Sequence, residues 1–64
     1  MEKITEGKLT ILKGDNLVIV SKKMFGDPLN GDIWTFADGL VGKGYELLSI
    51  NMMGAILIIT FKNP

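Results

Sequence analysis

The sequence predicts an α+β fold in which two β-hairpins form a four-stranded antiparallel sheet with one helix on one face, in the order ββαββ. Three observations predict it. Two stretches of β-branched and alternating residues flank a cluster of turn residues, Lys13 to Asn16, in the first third of the chain. A single apolar stripe at helical spacing follows, and a second pair of strand-like stretches closes the sequence around Gly54.

Taken in order, Ile4 to Leu12 reads as a strand with a bend at Gly7, because charge and β-branched residues alternate through it. Gly14, Asp15 and Asn16 tolerate positive φ and make a tight turn. Leu17 to Lys23 is then the antiparallel partner. Met24 to Gly31 holds two glycines and a proline, so it is expected to be a loop. Asp32 is placed to cap the following helix, with Asn30 as the alternative. The helix is expected from Ile33 to about Val41, with Ile33, Phe36, Ala37, Leu40 and Val41 on one stripe and Trp34, Thr35 and Asp38 facing away. Gly39 weakens it, and Gly42 or Gly44 ends it. Tyr45 to Asn51 alternates as a third strand, Met52 to Gly54 turns, and Ala55 to Lys62 is a fourth strand that is apolar on both faces.

That last strand carries the main expectation. Either Ile56 and Ile58 dock under the helix and leave Leu57, Ile59 and Phe61 on the far side, or the reverse holds. Burying each such side chain is worth roughly 1.5 to 3 kcal/mol, which a small domain needs. One helix covers one face, so Leu57, Ile59 and Phe61 are expected to meet a second copy in a symmetric interface.

Composition narrows the function. The chain of 64 residues fits a single domain, residues 1–64, and it has no Cys and no His, so neither disulfides nor the usual zinc ligands reinforce it. Oligomerisation remains. The absence of Cys fits a cytoplasmic protein. Seven Lys balance seven acidic residues with no Arg, which argues against nucleic-acid binding. No apolar run approaches a membrane span, and the first ten residues lack the hydrophobic block of a signal peptide.

Without His or Cys the common general bases, thiol nucleophiles and soft-metal ligands are missing, so no enzyme and no cofactor is expected. Asp27, Asn30 and Asp32 offer oxygen ligands, but their spacing is not that of a calcium loop, and a turn with a helix cap explains them. Gly39, Gly42 and Gly44 lie in and after the helix rather than before one, so they are read as helix-ending residues and not as a phosphate loop. The residues that look least like ordinary core are Trp34, Tyr45, Phe25, Met24, Met52 and Met53, a mixture of aromatic anchors and adaptable thioethers suited to contact with a partner or ligand. Lys22 and Lys23 are the adjacent cations that would meet a phosphate, although a solvated strand end also explains them.

From Phe36 onward the chain has a helix ending in Gly44, then Tyr45, Glu46, Leu47, Leu48, Ser49 and Ile50, and a final strand Ile58, Ile59, Thr60, Phe61, Lys62. In these features it resembles a family of small bacterial and phage domains to which no function is assigned. The family more often has Trp where Tyr45 stands, and its first strand and helix start differ. The resemblance covers under half the chain and implies a small sheet with one helix. The expected function is a non-enzymatic homo-oligomeric binding protein, such as a phage or mobile-element accessory protein that inhibits a host protein by surface contact. A small-molecule sequestering protein with a pocket between subunits is the alternative, and a scaffold subunit is the third.

Overall fold

A computed structural model describes residues 1–24 and 31–64 of the chain. Among these residues the order is β1 (Glu2–Glu6), β2 (Leu9–Lys13), β3 (Leu17–Lys23), α1 (Gly31–Gly42), β4 (Glu46–Met53) and β5 (Ile56–Lys62). The five strands form one antiparallel sheet in the spatial order β1-β2-β3-β5-β4. The expected four-stranded ββαββ sheet is therefore corrected to five strands with one helix.

The extra strand arises at Gly7. Its φ of 59° makes it the first residue of a two-residue loop, with Glu6 directly opposite Leu9, where the expectation had only a bend. Tight hairpins whose twist matches their strands need positive φ at this position, and glycine adopts it without strain. The consequence is a parity change. Ile4 comes to lie opposite Ile11 and on its face of the sheet, instead of on the reverse side as an unbroken strand would put it.

Val18, Val20 and Lys22 on β3 alternate toward the helix, and they share that face with Leu9 and Ile11 of β2 and with Leu57, Ile59 and Phe61 of β5. Ile33 and Leu40 of α1 close the core from above, with Phe36, Ala37 and Tyr45 packed at its margin. Of the helical stripe, Val41 departs from expectation, since it is exposed. The helix lies nearest to β3, in the middle of the sheet.

The helix ends in a Schellman motif. Tyr45 N–H donates to Leu40 O and Gly44 N–H to Val41 O, both at 3.1 Å, with Gly44 at φ 95° in the left-handed position. Of the two glycines offered by the sequence, Gly44 is the one used. Tyr45 and Leu40 then touch the same core, which fixes the angle at which the chain leaves α1 and enters β4.

The last hairpin turns at Gly54 and Ala55, so Met52 and Met53, expected in the turn, are the end of β4. Within β4 the register shifts between Leu47 and Ser49, leaving Leu48 as an inserted residue at a β-bulge.

Candidate functional site

Leu57, Ile59 and Phe61, the expected dimer interface, are 4%, 0% and 0% exposed within one chain. The structure takes the opposite assignment: these three lie beneath α1, and Ile56 and Ile58 occupy the far face, half-buried beside Thr10, Ser21 and Thr60. The interface assignment is therefore corrected. An apolar side chain already removed from water has nothing further to gain from a second copy.

Lys22 also departs from expectation. It was expected at a solvated strand end or near a phosphate, but it is 2% exposed and points to the helix face of β3. Its ammonium donates to Asp32 Oδ1 at 2.5 Å, and the same oxygen accepts the Ile33 N–H at 2.9 Å. Asp32 lies within the first turn of α1, one residue inside the helix, so its carboxylate meets the positive helix end from there and ties that end to β3. Asp32 is thus the second residue of α1 rather than the residue before it, and the alternative cap, Asn30, lies outside the described residues, as do Phe25 and Asp27. Among the described residues no group of three or more acidic residues could hold a metal ion.

The remaining candidates separate. Met24 is half-buried against the core, its N–H donating to Ala55 O at 2.7 Å, and Tyr45 is held at the end of the helix. Lys23 is exposed. Met52 lies opposite Leu57 and so on the helix side of β4, whereas Met53 lies opposite Ile56 and on the far side. A shallow hollow of about 410 Å³ lies between the β1–β2 turn and the start of α1, lined by Glu6, Gly7, Leu9, Gly31, Asp32, Thr35 and Phe36. Neither Trp34 nor Tyr45 lines it.

A different surface emerges from the topology. A helix is about 10 Å across and strands are spaced by about 4.8 Å, so α1 over β3 shelters its neighbours but does not reach β4. The helix-side residues of β4 are only half covered: Leu47, Ile50 and Met52 are 47%, 48% and 57% exposed, with Leu48 of the bulge at 47%. Phe36 turns toward β1 and β2, as its place in the hollow fixes, so helical spacing turns the flank carrying Trp34 and Val41 toward β4. Trp34 and Val41 are 43% and 52% exposed. Of these residues Trp34 and Met52 are expected contact positions from the sequence, whereas Val41, Leu47, Leu48 and Ile50 look like ordinary helix and strand positions until the strand order is known.

The two rims of the sheet differ in kind. β1 carries Glu2, Lys3 and Glu6 among its five residues; β4 carries Glu46 among its eight. Charged side chains and β-bulges both protect an unpaired strand; β4 has one charge at its very start and the bulge at Leu48, which leave Ile50 to Met53 as its regular, uncharged stretch. The class of protein that this geometry defines is a small α+β sheet protein with one guarded rim and one apolar rim. Comparison with protein-family models, curated proteins and solved structures returned no match. Among the described residues no helix is long and apolar enough to cross a membrane.

Proposed function

We propose that this chain is a non-enzymatic binding protein that self-associates and acts by surface contact. One observation carries the reading: Leu47, Ile50 and Met52 share the helix side of the outer strand β4 and are each about half exposed, with Trp34 and Val41 exposed on the helix as well. Single exposed apolar residues are ordinary, but a group of this size that includes Trp and Met has the composition of a contact surface. The resemblance of the C-terminal half to bacterial and phage domains supports, as the finer proposal, an accessory protein that covers a host surface.

Sedimentation velocity over roughly micromolar to hundred-micromolar concentration tests the reading, since this range brackets the affinities of modest interfaces. A concentration-dependent dimer is the expected result. A monomer throughout, unchanged by Trp34→Ala, overturns it.

A further inference from the structure

Resting on that reading, we infer that the second copy joins along β4, antiparallel and about a two-fold axis at Ile50, to make one sheet continuous through both chains. An axis perpendicular to the sheet keeps both helices on one side and requires opposed residues to share a face. Ile50 then meets Ile50 of the second copy on the helix side, and Ser49 meets Asn51 of the second copy on the far side, each polar residue finding a polar neighbour.

Charge selects this rim and this partner. With the axis at Ile50, the two Glu46 carboxylates stand at opposite ends of the seam, roughly 25 Å apart at about 3.4 Å per residue, well beyond the screening length of about 8 Å. The equivalent pairing of β1 about Ile4 would set Glu2 directly opposite Glu6 of the second copy, twice. Like charges in opposed positions disfavour that contact. In its central register β4 therefore opposes no like charges, whereas β1 does.

The area is adequate. Trp34, Val41, Leu47, Leu48, Ile50, Met52 and Met53, 43–69% exposed, present on the order of 500 Å² per chain if each carries roughly 150 Å², the low end of the range for aromatic side chains. A standard interface uses about 800 Å² per partner, and the backbone edge supplies much of the difference.

The chain has no Cys, so introduced thiols report this contact without background. Opposed residues in antiparallel strands have Cα atoms about 4.5–5.5 Å apart, inside the range a disulfide spans. The double variant Ser49→Cys/Asn51→Cys is expected to form a covalent dimer on mild oxidation. The matching β1 pair, Lys3→Cys/Thr5→Cys, is expected to stay monomeric on a denaturing gel. Ile50→Lys sets two ammonium groups face to face and is expected to weaken association at least 100-fold with an unchanged circular-dichroism spectrum. A sedimenting dimer in which Ser49→Cys/Asn51→Cys fails to cross-link overturns the β4 seam and leaves self-association standing by another surface. A wild-type monomer at all concentrations overturns both.

Discussion

At the scale of single residues, Lys22 shows how a charge can be built into a core. Alternation along β3 sends Val18, Val20 and Lys22 toward the helix, and Asp32 meets the ammonium where α1 begins. Taking away one member of a buried pair costs more than replacing the cation with an apolar residue of similar length, because the second change leaves no buried charge behind. Asp32→Ala is expected to lower stability by about 2 kcal/mol, a buried-pair loss moderated by the partial exposure of Asp32, whereas Lys22→Met should stay within about 1 kcal/mol. Urea unfolding curves of the two variants compare them directly. An equal loss in both would mean that the pair contributes net stability. The parity that buries Lys22 was visible in the sequence, but its carboxylate partner was not, since Asp32 was read as a helix cap.

At the scale of elements, the helix, its glycine-ended C-terminus and the positions of β3 and β5 were legible from periodicity and turn chemistry. The hairpin at Gly7 was not. A parity break marked it: Ile4 falls on the opposite parity from Leu9 and Ile11, a conflict that a two-residue reversal resolves and a bend does not. Gly7→Val places a β-branched residue at φ 59° and is expected to cost about 2 kcal/mol, seen as a lower denaturation midpoint. Gly39 offers the opposite case. It lies within α1 with nothing within 4 Å of an added Cβ, so Gly39→Ala should gain about 1 kcal/mol. In a domain of this size that gain raises the thermal midpoint by roughly 4–8 °C.

At the scale of the whole molecule, the sequence argument that one helix cannot shelter so much apolar strand surface was sound in its physics and wrong in its address. It placed the shortfall on the far face of the last strand, at Leu57, Ile59 and Phe61. The strand order moves it sideways: β5 lies next to β3 and within reach of the helix, and β4 takes the outer position. Local patterning cannot reveal that β5 inserts between β3 and β4, because the pairing of Val20 with Ile59 is long-range and leaves no mark in neighbouring residues. The candidate surface was legible at Trp34 and Met52 alone, for the same reason.

The unlike rims of the sheet also decide how far assembly can go. A chain with one adhesive border and one repellent border closes as a pair and stops, whereas two adhesive borders would add copies without end. Replacing Lys3 and Glu6 with Thr should therefore convert a finite particle into a growing fibre, with light scattering that climbs over time where the wild type holds level. Three charges in a five-residue ribbon, Glu2, Lys3 and Glu6, are on this view what stops the assembly at two copies.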